Sequence, residues 1–287
     1  MSPRAKLEDL AAELIDSGSR EHYSDAALYD YEYRRRRADV TFYRQLAKDR
    51  LGNAGRILEL GAGSGRVTIP LARDGHAVVA VDQMPPMLDR LRQRAAKLAP
   101  AVAGRITALS GELCTFTAPG PFPLAIAAFN VLEHLYTRGE LDACLRRVAA
   151  HLAPGGAFAF DVQLPDLEWL VRDPTRRWAK TRFTDPTTGR AMFYSTNHDY
   201  DAVNQIVVIR LYYEPVDGKG PTKIVKLTQR KYFPAELEAL VAHAGLRVVD
   251  RYGDFFWGEL TAGAESQVLV CELANAPKPR RKSRAPR

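Results

Sequence analysis

Gly61, Gly63 and Gly65 alternate along one short stretch of the chain. The apolar residues 56–60 precede them and have the composition of a buried strand, and a helix is predicted to begin in residues 66–72. Glycine adopts positive φ angles and lets a ligand approach the main chain closely. A helix N-terminus adds free N–H groups and a partial positive charge. The stretch therefore predicts a binding site for a ligand with an anionic part, the alternative being a tight turn without a ligand.

The spacing of the glycines disfavours a dinucleotide. A dinucleotide fingerprint places its third glycine three residues after the second, whereas Gly65 follows after two residues and Arg66 stands at the third. Residues 77–81 form a second apolar strand that ends in Asp82. An acid about 20 residues beyond the first glycine can meet ribose hydroxyls, and one carboxylate can accept from two hydroxyls. We interpret Asp82 as a ligand residue, with capping of the next helix as the alternative.

The pattern Glu59-x-Gly-x-Gly-x-Gly resembles the first motif of class I S-adenosylmethionine-dependent methyltransferases. Residues 82–88 are similar to the second motif, in which an apolar side chain covers adenine, and the resemblance extends over residues 51–162. It implies S-adenosyl-L-methionine as cofactor and an α/β, Rossmann-like fold with a seven-stranded, mostly parallel sheet and helices on both faces. The cofactor-binding residues that it implies are Glu59, Gly61, Ala62, Gly63, Gly65, Asp82, Gln83, Met84, Glu112, Leu113, Asn130, Val131, Tyr29 and Tyr33.

A polar stretch, residues 130–134, follows a fourth predicted strand over residues 122–129. Ligands of open parallel sheets lie at the carboxyl ends of strands, where the strand order reverses, so these residues face the site in the predicted fold. His134 is the first candidate for a general base or for orienting the acceptor, and a packed histidine is the alternative. The stretch contains no Asn-Pro-Pro-Tyr or Asp-Pro-Pro-Tyr run, no nucleophilic cysteine and no acidic cluster for magnesium. Methylation of nucleic-acid base amines and a metal site are therefore not predicted.

After a fifth predicted strand, residues 157–162, the alternation of strands and helices stops, and residues 163–190 have the composition of a loop. Three β-rich stretches with alternating apolar residues then follow, over residues 191–200, 205–214 and 223–233. They predict an inserted antiparallel β sheet that stands beside the cleft as a substrate lid. On this sheet Tyr194 and His198 are weaker catalytic candidates, with the wet face of the sheet as the alternative.

Apolar spacing also predicts a helix from Leu7 to Ile15 and one long helix from about residue 24 to residue 51. Four consecutive arginines, Arg34–Arg37, fall within the long helix, where they would point in four directions around its axis. The resemblance puts Tyr29, Tyr33 and either Arg36 or Arg37 at the methionine end of the cofactor. The predicted division of the chain is a helical cap over residues 1–50, a methyltransferase core over 51–162 and 234–275, the inserted lid over 163–233 and a disordered basic tail over 276–287.

The net charge of +7 is concentrated near the C-terminal end, because six positive charges and no acid lie in residues 277–287. The rest of the chain is nearly neutral, so no specific nucleic-acid partner is predicted beyond weak contacts of the tail. No apolar run approaches the ~20 residues that span a bilayer, and an apolar signal core is missing. The three scattered cysteines form neither a disulfide nor a zinc pattern. We therefore expect a cytoplasmic monomer or homodimer without a membrane partner.

Three functions are compatible with these patterns. The first is an enzyme that transfers a methyl group from S-adenosylmethionine to nitrogen or oxygen of a small-molecule acceptor, consistent with the lid and the neutral body. Residues 232–255 add a similarity to small-molecule methyltransferases related to glycine, sarcosine and amino-sugar N-methyltransferases. The second is an RNA or protein methyltransferase that uses the basic tail. The third is a non-catalytic S-adenosylmethionine-binding protein, which the intact glycines and Asp82 disfavour.

Overall fold

The computed structural model describes Ile15 and residues 17–275. The predicted helix from Leu7 to Ile15 lies outside the described residues apart from its last member, and the predicted basic tail, residues 276–287, lies outside them entirely.

Seven strands form the main sheet: β1 (Arg56–Leu60), β2 (Ala77–Asp82), β3 (Ile106–Ser110), β4 (Phe122–Ala127), β5 (Leu152–Gln163), β10 (Leu246–Tyr252) and β11 (Ser266–Leu273). Their spatial order is β3-β2-β1-β4-β5-β11-β10. The first five strands of the chain pair in parallel, and β11 is antiparallel to both of its neighbours. The predicted seven-stranded, mostly parallel sheet is confirmed. The strand order reverses between β1 and β4, which opens a crevice at their carboxyl ends.

The helices that accompany these strands are α1 (Ala26–Tyr33), α2 (Ala38–Leu51), α3 (Thr68–Arg73), α4 (Pro85–Ala95), α5 (Pro100–Ala103), α6 (Arg138–His151), α7 (Leu167–Leu170) and α8 (Pro234–His243). Residues 17–20 are also helical, and 3-10 helices cover Glu21–Tyr23 and Val131–His134. Central strands are buried on both faces: Ile57 of β1 belongs to an apolar core with Phe42 of α2, whereas Leu58 belongs to a second core with Leu145 of α6. Burial on both faces explains the continuous apolar run of β1.

The prediction of one long helix from residue 24 to residue 51 is wrong. The chain forms α1 and α2, separated by a turn at Arg34–Arg37, and Arg37 leaves the helical region with φ of −129°. The turn lets α2 bury Phe42 in the main core while Leu28 of α1 packs in the core of a second sheet. The arginines also do not point in four directions, because Arg34, Arg36 and Arg37 line the same cavity.

The second sheet is an antiparallel meander of four strands: β6 (Trp178–Thr184), β7 (Ala191–Asp201), β8 (Ile206–Pro215) and β9 (Lys223–Arg230). The three predicted stretches are present as β7, β8 and β9. The loop prediction for residues 163–190 is wrong at α7 and at β6. The sequence did not indicate β6, because this edge strand is largely exposed and lacks an alternating apolar pattern. Leu28 of α1 packs with Leu211 and Val225 of the sheet, so α1 and the second sheet share one core.

Candidate functional site

A cavity opens at the carboxyl ends of β1, β2 and β4, and we call it the main cavity. Nine residues that the sequence predicts line it: Gly61, Gly63, Asp82, Gln83, Met84, Leu113, Val131, Tyr29 and His134. Six further residues complete the lining, namely Ser19, Tyr23, Met87, Gly111, Ala128 and Phe129. Of these, Met87 belongs to the stretch that is similar to the second motif. The cavity therefore combines the ends of the parallel strands with a cover from the N-terminal segment.

The three glycines of the turn lie in the left-handed region of φ, at 62° for Gly61, 55° for Gly63 and 84° for Gly65, and the first two line the main cavity. A Cβ on Gly61 would lie 2.4 Å from Cγ2 of Val131, and one on Gly65 would lie 2.3 Å from Cδ1 of Leu91. A Cβ on Gly63 would meet nothing within 4 Å. Two of the glycines thus allow close packing of the protein, whereas Gly63 leaves space for a ligand.

Asp82 is held at the edge of the glycine turn by backbone donors. Its Oδ2 accepts a hydrogen bond from the N–H of Gly63 at 2.7 Å, and Oδ1 accepts one from the N–H of Met84 at 2.8 Å. Burial raises the pKa of the carboxyl, while these N–H groups oppose the rise by favouring the charged form. A carboxylate has about four lone-pair sites, so Asp82 retains acceptor capacity toward the cavity. This arrangement suits a pair of ribose hydroxyls.

Glu59 lies beneath the turn and does not line the main cavity. Its Oε2 accepts a hydrogen bond from the Thr68 hydroxyl at 2.6 Å. Burial raises the pKa of Glu59 to about 8, with the bond from Thr68 and the charge of Arg66 opposing it. Glu59 thus connects β1 to the first turn of α3, which begins directly after the glycine turn. A direct contact with the methionine end of the cofactor stays a prediction.

Five more of the predicted cofactor residues lie outside the lining, namely Ala62, Gly65, Glu112, Asn130 and Tyr33. Glu112 is exposed, while its neighbours Gly111 and Leu113 line the cavity, so the backbone of this loop faces the site. The Tyr33 hydroxyl is 3.1 Å from Nε2 of His22. With Met84 and Met87, Leu113 supplies an apolar wall of the kind that covers an adenine ring.

A strained turn follows β4. Phe129 and Asn130 both occupy the left-handed region, with φ of 71° and 61°, a conformation that costs residues with side chains roughly 1–3 kcal/mol each. Asp161 of β5 holds this turn, because its Oδ1 accepts from the Phe129 N–H at 2.8 Å and its Oδ2 from the Asn130 N–H at 3.2 Å. The Tyr43 hydroxyl donates to the same carboxylate at 2.6 Å. The sequence signal for Asp161 was a lone acid in an otherwise apolar strand.

His134 and Tyr23 form a hydrogen-bonded pair in the main cavity. The Tyr23 hydroxyl and His134 Nε2 share a hydrogen bond of 2.7 Å, and the Tyr136 hydroxyl lies 3.4 Å from Nδ1. Burial, together with His22 and Lys231, lowers the pKa of His134 to about 4. Burial also raises the pKa of Tyr23 well above its ordinary value. Both side chains are therefore uncharged near neutral pH.

A buried ion pair supports the helix that carries His134. Lys231 Nζ donates to Glu133 Oε2 at 2.6 Å, and Glu133 Oε1 accepts from the Gln163 N–H at 2.7 Å. Both charged side chains are almost completely buried. Because Lys231 follows β9 and Gln163 ends β5, the pair joins the second sheet, the main sheet and the His134 helix.

The other two predicted catalytic residues do not line the main cavity. Tyr194 packs against Tyr213 within the second sheet, at 5.6 Å between ring centroids. The His198 ring stacks on Trp169 of α7 at 3.8 Å, and its Nε2 is 2.7 Å from the Trp169 carbonyl oxygen. The predicted face for both residues is thus covered by protein, and sequence alternation alone did not indicate this cover.

The helices and the metal-ligating side chains of residues 17–275 bear on two other kinds of site. None of these helices is both long and apolar enough for a membrane span. Within the same part of the chain, His, Cys, Asp and Glu side chains form no group of three with metal-site geometry.

Comparisons with known proteins bear on the same region. A family model described as a methyltransferase domain matches residues 57–156. The chain is 26% identical over 219 residues to a cypemycin N-terminal methyltransferase of Streptomyces sp, which covers 75% of this chain and 82% of that protein. It is 36% identical over 104 residues to a ubiquinone biosynthesis O-methyltransferase of Methylocella silvestris, covering 35% of this chain and 37% of that protein.

A structural match extends over most of the chain. The CcbJ methyltransferase from Streptomyces caelestis matches with a TM-score of 0.73 at 25% identity, covering 88% of this chain and 98% of that one. The family match spans the glycine turn, Asp82 and His134.

Proposed function

Because the chain belongs to the class I S-adenosylmethionine-dependent methyltransferases and its cofactor is S-adenosyl-L-methionine, we propose that it methylates a small-molecule acceptor, at an amine nitrogen in preference to a hydroxyl oxygen. The observation that carries the preference for nitrogen is the uncharged pair of Tyr23 and His134 in the main cavity.

The lining residues divide between the two ends of the cofactor. Asp82 would accept hydrogen bonds from the ribose hydroxyls, and Met84 and Met87 would pack against adenine. The backbone between Gly61 and Gly63 would hold the methionine end. S-adenosylmethionine supplies a methyl group that its sulfonium charge already activates. The aromatic rings of Tyr23 and Tyr29 line the same cavity, and aromatic faces attract cations.

The protonation states favour an amine acceptor. A neutral amine attacks through its lone pair and releases a proton after transfer, whereas a hydroxyl needs a base to become nucleophilic. With a pKa of about 4, His134 is a weak base for a hydroxyl. When the Tyr23 hydroxyl donates to Nε2 of His134, the Tyr23 oxygen can still accept a hydrogen bond from an amine N–H and orient the lone pair toward the methyl group. Tyr23 keeps its proton because burial raises its pKa, so it can fix His134 without adding charge.

Two elements support exclusion of water, which methyl transfer requires. Ser19, Tyr23 and Tyr29 cover the main cavity from the N-terminal segment. The second sheet adjoins the His134 helix through Tyr136, whose hydroxyl is 2.7 Å from Thr228 Oγ1 of β9. We assign the N-terminal segment as a cap and residues 163–233 as a substrate lid.

A mass-shift screen with the purified chain and isotopically labelled S-adenosylmethionine tests the proposal. The panel contains small primary and secondary amines, the matching alcohols, a peptide mixture and total RNA. We expect labelled product from amines at a higher rate than from their alcohol counterparts. Label only in alcohols would refute the preference for nitrogen, and label only in RNA or protein would refute a small-molecule acceptor.

Variants then separate catalysis from cofactor binding. His134→Ala should lower kcat by about 10²-fold, the order of loss that a misplaced reacting group causes, with little change in S-adenosylhomocysteine affinity. His243→Ala changes an exposed histidine of α8 and is the matched control. The same assay with Tyr194→Phe and His198→Ala tests the two predicted candidates on the second sheet. An unchanged kcat in His134→Ala would contradict the proposed role.

A further inference from the structure

A second concave surface lies beside the main cavity, and Tyr29 lines both. We call it the arginine basin, because eight arginines line it. Four of them belong to the α1–α2 region: Arg34, Arg36, Arg37 and Arg44. The other four come from the glycine turn, α3 and α4: Arg66, Arg73, Arg90 and Arg94. The basin has a volume of about 700 Å³, within the range of roughly 300–1,000 Å³ that is typical of small-ligand sites.

Three carboxylates pair with the arginines of the basin. Asp39 accepts from both Nη atoms of Arg66 at 2.8 and 2.6 Å and lies 3.5 Å from Nε of Arg36. The Asp74 carboxylate accepts from Arg44 in a bidentate pair, with both distances at 2.6 Å.

The third carboxylate, Asp30, accepts from Arg90 at 2.8 Å and from Arg94 at 3.4 Å. Eight guanidinium groups against three carboxylates leave an excess of five positive charges around one basin.

Three arginines of the basin have no carboxylate within ion-pair distance among residues 17–275. Arg34 donates to the Tyr31 carbonyl and lies over the Tyr31 ring. Arg37 at the start of α2 and Arg73 in the last turn of α3 form no ion pair with another described residue. Their guanidinium groups are exposed, so they can bind a ligand without breaking a pair inside the protein.

Arg94 lies among charges of both signs. Burial lowers the pKa of Arg94, the charge of Asp30 opposes this shift, and the charges of Arg90 and Arg73 lower the pKa further. The cofactor cannot balance this charge, because its methionine end is a zwitterion and its sulfonium group adds a positive charge. An anion other than the cofactor that binds in the basin would reduce this excess of positive charge. Guanidinium groups bind phosphate oxygens in a bidentate manner.

We propose that the arginine basin binds a small molecule that carries at least two phosphate charges, such as a diphosphate group. The ligand would contact Arg37 and Arg73 directly, while the pairs with Asp30, Asp39 and Asp74 keep the remaining guanidinium groups in place. The concave shape suits a compact anion rather than an extended polymer.

Calorimetric titration of inorganic pyrophosphate into the full chain tests the proposal. Saturating S-adenosylhomocysteine is present, so that binding in the main cavity is blocked. We expect one pyrophosphate per chain, with affinity weakened about tenfold by Arg73→Gln and similarly by Arg37→Gln. Arg92→Gln is the matched control, because Arg92 lies on α4, pairs with Asp89 and is outside the basin.

Absence of pyrophosphate binding would overturn the proposal, and so would an equal loss in Arg92→Gln, which would indicate general charge attraction. Equal thermal stability of all variants, and unchanged S-adenosylhomocysteine affinity of Arg73→Gln, exclude misfolding as a cause. A short RNA that displaces pyrophosphate, with the steep salt dependence of many phosphate contacts, would identify a nucleic-acid surface and also overturn the proposal.

Pyrophosphate in the methyl-transfer assay then distinguishes two sources of the phosphate. Competition with the acceptor found in the amine screen supports a phosphate carried by that acceptor. Binding without such competition supports a separate phosphorylated ligand in the same basin. The calorimetric result does not require turnover, so failure of the proposed acceptor class leaves the basin testable.

Discussion

Replacement of Asp161 by alanine should destabilise the fold and weaken cofactor binding together. The carboxylate accepts from two backbone N–H groups, those of Phe129 and Asn130, and from the Tyr43 hydroxyl. All three donors lie in the buried region where β4 ends beside β5. Alanine removes the acceptor and leaves the left-handed φ angles of Phe129 and Asn130 without support.

The expected loss of stability in Asp161→Ala follows from the donors that lose their acceptor. A buried donor without a partner costs about 1–3 kcal/mol, and two backbone donors are affected in addition to the tyrosine hydroxyl. Release of the carboxylate from its buried position offsets part of this cost, since burial raises the pKa of Asp161. We expect a net loss of roughly 3 kcal/mol, a large share of the 5–15 kcal/mol that stabilises a typical protein.

Urea unfolding and calorimetric titration with S-adenosylhomocysteine provide the two measurements. Asp161→Ala should lower the midpoint of unfolding without changing the slope. It should also weaken cofactor-product binding, because Phe129 and Val131 line the main cavity.

Asp250→Ala is the control for the Asp161 variant. It removes a half-exposed carboxylate from β10, and such surface changes usually stay within about 0.5 kcal/mol. An Asp161→Ala protein that unfolds at the wild-type urea concentration, with unchanged affinity, would refute the reasoning.

Three further predictions concern single groups. Burial raises the pKa of Glu59 to about 8, so near neutral pH the folded chain keeps a proton that the unfolded chain has released. The stability that this bound proton contributes is lost as the pH rises through about 8. The free energy of unfolding should fall by roughly 1 kcal/mol between pH 7 and pH 8 through this group, and Glu59→Gln should remove that part of the slope in urea titrations at each pH. Lys231→Met should lower the free energy of unfolding by about 3–5 kcal/mol, because it leaves the Glu133 charge buried and unpaired. Thermal unfolding should show that the double variant with Glu133→Gln regains most of this stability. A double variant that is no more stable than Lys231→Met would argue against the ion pair. Gly63→Ala should cost about 1 kcal/mol for its φ of 55° and weaken S-adenosylhomocysteine binding at least tenfold, whereas Gly189→Ala, at φ of 71° and also in open space, should lose only the stability.

The features of the core that sequence predicted are those with a local signal. Buried parallel strands require continuous apolar runs, and the glycine turn requires residues that tolerate positive φ. The place of Asp82 in the site was predicted from its position at the end of the second apolar strand. Each of these depends on neighbours in the chain, so spacing alone was sufficient.

The cover of the site depends on contacts between distant residues, which spacing does not encode. Tyr23 meets His134 across more than a hundred residues, and nothing near Tyr23 in the chain indicates this partner. The turn at Arg34–Arg37 interrupts an apolar pattern that continues on both sides. For His198, alternation identified a face of a strand but not that α7 covers it.

The arginine basin illustrates the same limit for charge. The nearly neutral composition of the chain before its tail argued against a specific nucleic-acid partner and indicated no local excess of positive charge. The fold nevertheless gathers arginines from α1 to α4 on one surface. The net charge of this part of the chain therefore gave no indication of how the fold distributes positive charge over the surface.

We propose that S-adenosylmethionine binds where the glycine turn and Asp82 meet. Calorimetric titration of S-adenosylhomocysteine into the wild-type chain and Asp82→Ala tests it directly. We predict one molecule bound per wild-type chain and at least a tenfold loss of affinity in Asp82→Ala, because the variant removes the acceptor for the ribose hydroxyls and for the Gly63 and Met84 N–H groups. No binding by the wild type, or equal affinity of the folded variant, would contradict the account.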